Sequence, residues 1–324
     1  MKDNHMTNQQ INKSTNPHFP NHKYTFGPVV SRRLGLSLGI DLVPRKKCNL
    51  DCLYCEVCPT DKLNEDRIEY VDTQALIKEI KETKSAIDYL TLTGSGEPTL
   101  HVELDKMISS LKKEFTYPIV MLTNSLLLRK EKVRNELLGL DLIVPSLDAV
   151  SQSVFKKINR PVEDVFASDV VNGLIEFRKI FSGKMWLEVL FVKGINDSDS
   201  EIKLLAAAIS KIKPDRVQLN TVARPPAYGG IEPLSFDELK KISEQLNFKN
   251  VDIIGAHPSS NSGAELTQKA VVEYLRRRPA VFEELLMAFS VEATALRNFL
   301  FELETKREIL KEVHAGMVFF KVNY

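Results

Sequence analysis

The sequence predicts an α/β fold in two parts: a parallel sheet covered by helices, then a smaller winged-helix-like domain. Three observations carry that prediction. Six short apolar runs alternate with helical segments between residues 34 and 221, and such alternation requires crossover connections and hence a parallel sheet. After about residue 262 the pattern changes to three closely spaced helices and a terminal hairpin. A chain of 324 residues, 43% of them hydrophobic and 27% charged, can bury a real core.

The elements follow in order. Residues 1–23 are rich in Asn, Gln, Lys and His, without an apolar face, and read as a disordered polar arm with no secretory h-region. Leu34, Leu36, Leu38, Ile40 and Leu42 take every even position, the period of a half-buried strand. A helix over 73–84 follows, with Asp72 placed to cap it. Tyr89–Thr93 reads as a strand, and Leu100, Leu104, Met107, Ile108 and Leu111 mark one helical face. Strands over 118–123, 142–146 and 186–192 alternate with helices over 129–138, 163–180 and 199–211. Arg216–Thr221, a helix over 235–245 and a short strand over 251–254 complete the first part. Such a count fits a doubly wound open sheet or a barrel, and either puts the chemistry at the carboxyl ends of the strands. Beyond it come helices over 265–278, 280–289 and 291–304, the last capped by Ser290, then two strands around Ala315 and Gly316. The domains are then 24–262 and 263–324, with no repeat at a solenoid period.

Charge excludes the simplest partners. With 44 Lys+Arg against 43 Asp+Glu, the chain has no global basic field for nucleic acid or an anionic membrane. No apolar run is long enough to span a bilayer. Over 265–324 nine bases face nine acids, so the winged-helix-like part is neutral too, with Arg276–Arg278 its one basic spot. Protein contact or a structural lid suits that balance as well as nucleic acid does.

All four cysteines lie between Cys48 and Cys58, after the first strand. They are too few for a secreted disulfide scaffold, and free clustered thiols without an export signal indicate the cytoplasm. Cys48, Cys52 and Cys55 form a CxxxCxxC run. Three thiolates so spaced can hold three irons of a [4Fe–4S] cube and leave the fourth open to a small chelating molecule. The competing reading is a structural zinc, with Cys58 as fourth ligand in one cramped loop.

The run CNLDCLYC, with Tyr54 before its last cysteine, resembles the defining motif of the radical S-adenosylmethionine (radical SAM) superfamily. GSGEP, at Gly94–Pro98, is similar to that superfamily's GGEP motif, with Ser95 where the first glycine of that motif usually lies. The bland reading of GSGEP is a strand-to-helix turn with Pro98 at the helix start. The resemblance covers about residues 26–260 and implies a partial (β/α)6 TIM-like barrel, a [4Fe–4S] cluster on Cys48, Cys52 and Cys55, and SAM as second cofactor. It implies reductive cleavage of SAM to a 5′-deoxyadenosyl radical that abstracts hydrogen from a substrate. It also implies an external electron donor of the flavodoxin or ferredoxin type.

As cofactor-binding residues the resemblance points to Tyr54, Ser95, Gly96 and Glu97, and by strand-end position to Asn124, Ser146, Asp148, Glu188 and Asn220. Capping of the following turn is the alternative for the last group. Among nearby bases, Lys46 and Arg224 are the substrate candidates, Arg45 and Lys47 could pair with carboxylate or phosphate on SAM or substrate, and Arg32 and Arg33 read as solvated charge. His101 and His257 lie near strand ends and read as loop histidines with ordinary hydrogen bonds. FGPVVSRRLGLSLGIDLVPRKKCNLDCLYCE, TLTGSGEPTLH and VQLNTVARPPAYGG further resemble a bacterial branch near the tRNA wyosine-synthesising radical SAM enzymes. The cysteines that hold the second cluster of those enzymes have no counterpart before Cys48, so the substrate is open, with tRNA or protein as candidates. The reading from a different class is a non-catalytic metal-cluster or zinc protein that binds nucleic acid through its winged helix.

Overall fold

A computed structural model describes residues 24–31, 34–83, 85–254, 266–289 and 291–323. The polar arm over 1–23, Arg32, Arg33, His257, Ser290 and the domain boundary at 262–263 lie outside the described residues.

The first part holds β1 (Thr25–Val30), β2 (Leu36–Asp41), α1 (Thr73–Lys81), β3 (Tyr89–Thr93), α2 (Leu104–Glu114), β4 (Ile119–Thr123), α3 (Glu131–Glu136), β5 (Leu142–Pro145), α4 (Gln152–Ile158), α5 (Ala167–Ile180), β6 (Lys184–Phe191), α6 (Asp199–Ile212), β7 (Arg216–Thr221), α7 (Phe236–Gln245) and β8 (Val251–Ile253). The strands pair in chain order from β1 to β8. β1 runs antiparallel to β2, and every later neighbour is parallel. The sheet has eight strands: the six alternating ones, the short strand expected over 251–254, which pairs as β8, and β1, an antiparallel edge that the sequence pattern does not show.

Parallel pairing sends the carboxyl ends of β2 to β8 to one edge of the sheet. It also buries both faces of its strands. β2 is accordingly buried at every position after Leu36, where the even-position pattern suggests a half-buried strand. Leu38, Ile40 and Leu42 pack toward the helices. The opposite face has two layers. At the amino ends Leu34, Val120, Leu142 and Val144 form an apolar cluster with Tyr89, Leu122 and Trp186 packed against it. Toward the carboxyl ends the same face turns polar, with Asp41 beside Thr93 and Glu188 beside Gln218 in the ladders. An apolar floor under a polar mouth suits a polar ligand held at the strand ends.

The helices start where local chemistry dictates. Asp72 accepts from the Ala75 N–H, as its position predicts. Ser235 and Glu238 make a reciprocal capping box on α7.

The last part holds α8 (Gln268–Arg277), β9 (Ala280–Val281), α9 (Phe282–Phe289), α10 (Ala293–Thr305), β10 (Ile309–His314) and β11 (Met317–Val322). α10 begins two residues later than expected, and Glu292 stands at its N-cap without a side-chain bond. The three strands order as β10, β11, β9. Ala315 and Gly316 both take positive φ (48° and 76°), which closes the β10–β11 hairpin in the sense its twist prefers. Val271, Leu275, Leu285, Leu296, Leu300 and Phe320 belong to a hydrophobic cluster separate from the sheet's. Among the described residues no helix is long and apolar enough to cross a membrane.

Candidate functional site

The thirty-odd residues between β2 and α1 contain no helix or regular strand, and loops of that length usually carry function. Side chains and backbone tie this loop down. Asp51 N donates to the Asn159 and Arg160 carbonyls, and Leu53 N to the Ile158 carbonyl. Thr60 N donates to Asp51 Oδ1 at 2.7 Å. Arg67 donates to the Thr99 and His101 carbonyls, both at 2.7 Å, and pairs with Glu136. Tyr228, in the loop after β7, donates its hydroxyl to Asp51 Oδ2 at 2.6 Å while Arg160 lies over its ring.

The GSGEP turn is zipped to the residues just before Cys48. Lys46 N donates to the Ser95 carbonyl at 2.7 Å, and Glu97 N to the Lys47 carbonyl at 2.9 Å. Gly96 is required there: a Cβ at its position would stand 2.1 Å from the Lys47 carbonyl oxygen. Ser95 donates its hydroxyl to Asp41 Oδ2 at 2.7 Å, and its N–H goes to Asp41 Oδ1 at 2.9 Å. The departure from glycine at position 95 therefore serves to pin this turn to the end of β2. Glu97 caps the following short turn, with Pro98 at its start. The two readings of the motif coincide in one piece of backbone.

Several predicted site residues meet here, but not always through free polar atoms. Glu97 Oε1 accepts from Thr99 Oγ1 and Thr123 Oγ1, both at 2.6 Å, and Oε2 from Asn124 N at 2.8 Å. Its carboxylate thus holds the turn to the end of β4. Tyr54 donates its hydroxyl to Asp148 Oδ2. Asp148 also accepts from Asn159 Nδ2 at 2.7 Å and Leu190 N at 2.9 Å. Asn220 Nδ2 donates to Glu188 Oε1 at 2.8 Å, across β7 and β6. Ser146 continues β5 and bridges to Glu188.

Arg224 lies elsewhere. It is 5% exposed and spends both terminal nitrogens on Glu284 of α9, at 2.6 and 2.7 Å, with the Pro279 carbonyl at 2.8 Å. Its Nε stands 3.4 Å from Glu56 Oε2. The residue expected to meet substrate instead fastens α9 to the cysteine loop. Lys46 is buried and donates to Cys55 Sγ at 3.1 Å, which commits its ammonium as well. Sequence reasoning overlooked Asp41, Asp51, Asn159 and Tyr228. Only Asp41, an acid ending a strand just before the cysteines, carries a local signal.

Burial dominates the electrostatics. It pushes the Cys48 thiol up to about 12, with the nearby Glu97 charge adding to it. Cys52 is raised by burial and then by the Asp148 charge. Buried thiols beside carboxylates do not ionise alone, and a bound cation supplies the missing charge. Asn49, next to Cys48 and fully buried, leaves its Nδ2 without a partner among the described residues. Three thiols, an unspent buried donor and a glycine cradle fit an iron–sulfur cluster with a small chelating ligand. Among the described residues no three His, Cys, Asp or Glu side chains converge as the ligands of one ion would; a cube, which takes its thiolates on separate irons, does not ask them to.

Two buried groups give a pH signature of opposite signs. Burial raises Asp148 from 3.8 to about 6, so its stabilising contribution is full below pH 4 and lost as pH rises to 6. Burial, then Arg67, lowers His101 from 6.5 to about 4, so its contribution is full above pH 6.5 and lost as pH falls to 4. His101 accepts the Tyr70 N–H on Nδ1, as the ordinary-histidine reading expects. Each shift of about two units is worth ~3 kcal/mol. In urea titrations of metal-free protein, Asp148→Asn should gain ~3 kcal/mol on wild type between pH 4 and 6. His101→Gln should lose a similar amount against wild type between pH 4 and 6.5. Parallel curves for all three proteins would contradict both assignments.

Comparison with known proteins gives the family. A model of the radical SAM superfamily matches residues 42–206, about half of the chain. The chain belongs to the radical SAM superfamily, and it is a radical SAM enzyme that uses a [4Fe–4S] cluster and SAM. Within that class it belongs with the UPF0026 proteins: it is 30% identical over 311 residues to the one from Methanocaldococcus jannaschii, covering 92% of this chain and 95% of that protein. It is also 35% identical over 308 residues to a protein named GTPase Obg from Brachyspira hyodysenteriae, spanning 93% of this chain but only 45% of that protein. The crystal structure of a radical SAM methyltransferase from Sphaerobacter thermophilus shares the fold, with a TM-score of 0.53, 14% identity and coverage of 67% and 66% of the two chains.

Proposed function

We propose that Cys48, Cys52 and Cys55 hold the cluster, and that the polar mouth of the sheet receives SAM and a substrate of the tRNA or protein class. The observation that carries this reading is the double zip between the cysteine loop and the GSGEP turn, Lys46 N to the Ser95 carbonyl and Glu97 N to the Lys47 carbonyl. It fixes a three-thiol loop and a glycine cradle against each other at the carboxyl edge of one parallel sheet. When bound, the cluster and SAM supply a one-electron cleavage of the sulfonium to methionine and a 5′-deoxyadenosyl radical.

The chain's own residues then have three tasks. Gly96 lets the GSGEP turn close on the Lys47 carbonyl beside the first thiol, and so sets the backbone that would meet the methionine end of SAM. Ser146, Glu188 and Asn220 face the mouth and suit ribose hydroxyls or an adenine edge. Asp41, Ser95, Glu97, Tyr54 and Asp148 hold loops in place by the bonds described above. Residues 24–262 form the catalytic domain and 263–324 a winged-helix-like domain that docks a partner, in a cytoplasmic protein served by a flavodoxin- or ferredoxin-type donor.

Anaerobic reconstitution with iron, sulfide and dithionite tests this. Wild type should take up about four irons, show broad charge-transfer absorption and release 5′-deoxyadenosine from SAM. Cys48→Ala, Cys52→Ala and Cys55→Ala should each lose all three, whereas Cys58→Ala should keep them. One tightly held zinc and no SAM cleavage would return the protein to the nucleic-acid-binding class. Hydrogen transfer from labelled substrate pools, bulk tRNA against protein fractions, then separates the two substrate classes.

A further inference from the structure

Each sulfur of the CxxxCxxC run faces one side-chain nitrogen supplied from outside the run. Lys46 Nζ lies 3.1 Å from Cys55 Sγ, Asn159 Nδ2 3.5 Å from Cys52 Sγ, and Asn124 Nδ2 3.6 Å from Cys48 Sγ. These are N–H···S distances. The three donors come from unrelated places: the loop before Cys48, the turn behind α4 and the end of β4.

Each donor is also held from behind. Lys46 sits at φ 56° with its own N–H on the Ser95 carbonyl. Asn159, 4% exposed, gives its amide to Asp148 Oδ2 at 2.7 Å, and Asn124 gives its amide to Asn49 Oδ1 at 2.7 Å. Donors so fixed cannot turn away to be replaced by water. The backbone N–H of Leu50 also serves Cys48, so Asn124 shares that sulfur.

A donor aimed at a ligand sulfur favours the electron-rich state, and hydrogen bonds to the sulfurs are one of the determinants of cluster potential. Charged donors act about twice as strongly as neutral ones. We propose that Lys46, Asn159 and Asn124 are positioning residues that raise the reduction potential of the cluster, one donor to each cysteine sulfur. The cluster gains one electron and the external donor protein loses one; no bond to these three side chains forms or breaks. Lys46 carries the largest share, since it brings a full charge at the shortest distance. This moves Lys46 away from substrate binding and Asn124 away from SAM. It rests on the cluster reading above.

The test is a redox titration of the reconstituted protein without SAM or substrate, followed by electron paramagnetic resonance of the reduced cluster. Lys46→Met should lower the reduced-to-oxidised ratio at fixed potential about tenfold, or about 59 mV for one electron. Asn159→Leu and Asn124→Ala should each lower it about threefold, or about 28 mV. Lys46→Arg, which keeps a charged donor, should titrate within the wild-type range. Should Asn159→Leu fail to fold, Asn159→Asp keeps the shape, turns the donor into an acceptor and should lower the ratio further. A purely structural role would reduce iron content but leave the potential of the clusters that form unchanged. Unchanged midpoints in loaded variants overturn the proposal and leave the cluster reading intact. A wild type that loads zinc or no cluster overturns both.

Discussion

Gly96→Ala is expected to abolish cluster assembly and SAM cleavage together while leaving the sheet folded. The added Cβ would meet the Lys47 carbonyl oxygen at 2.1 Å and its carbon at 2.9 Å. Backbone cannot swing aside as the tip of a side chain can. The turn and the cysteine loop would have to separate, and both bonds of the zip, Lys46 N to the Ser95 carbonyl and Glu97 N to the Lys47 carbonyl, join these same two segments. Lys47 directly precedes Cys48, so the displacement reaches the first thiol. A misplacement near 1 Å in a reactive geometry costs on the order of a hundredfold in rate. SAM cleavage should fall at least that far, and iron content with it. Of the sheet's core only a Val43 methyl stands near the added Cβ, at 3.0 Å, and a side-chain methyl can give way, so far-ultraviolet circular dichroism should stay native. Gly94→Ala is the control, because its Cβ would meet only side-chain atoms of Asp41 and Val43 at 3.0 and 3.2 Å besides a looser backbone contact. Normal iron uptake and SAM turnover in Gly96→Ala would remove the zip from the explanation of the site.

The contrast between Gly96 and Asn159 shows what the sequence could reveal. The turn and the cysteine run are local patterns, each within a few residues, and strands such as Tyr89–Thr93 and Arg216–Thr221 announce themselves by short apolar runs. β1 hides because TFGPVV carries Gly27 and Pro28, which weaken any strand reading, and a register shift between Phe26 and Val29 accommodates them. α4 is only seven residues long with two buried side chains, too short for helical periodicity to show. Missing α4 hides the turn that presents Asn159, which meets Cys52 across 107 residues of sequence. The bonds of Glu97, Ser95 and Arg224 stay hidden for one reason: a sequence shows that a polar group is present, not which other group takes its hydrogen bonds.

Arg224 turns that last point into a second measurement with a large expected effect. It bonds at once to Glu284 and Pro279 of the C-terminal part and stands against Glu56, the residue after Cys55. Nearby, His314 at the end of β10 contacts the Val222 carbonyl at 2.7 Å. The two contacts together seat the C-terminal part on the loop after β7. Removing one partner of a buried ion pair leaves the other charge uncompensated, at a cost of about 3–5 kcal/mol. Arg224→Ala takes from Glu284, itself 7% exposed, both of its guanidinium bonds and leaves it the Arg278 charge and the Val281 N–H, so the loss should fall near the bottom of that range. Limited proteolysis should then cut the C-terminal part before the sheet domain, and SAM cleavage should weaken through the shifted cysteine loop. The double variant Arg224→Met with Glu284→Met removes both charges and keeps the volume, which often restores stability. An anchoring arginine predicts that this double variant recovers protease resistance, SAM cleavage and substrate turnover alike. If stability and SAM cleavage return while hydrogen transfer into substrate does not, the guanidinium has a role in the substrate complex that its bonds to Glu284 conceal.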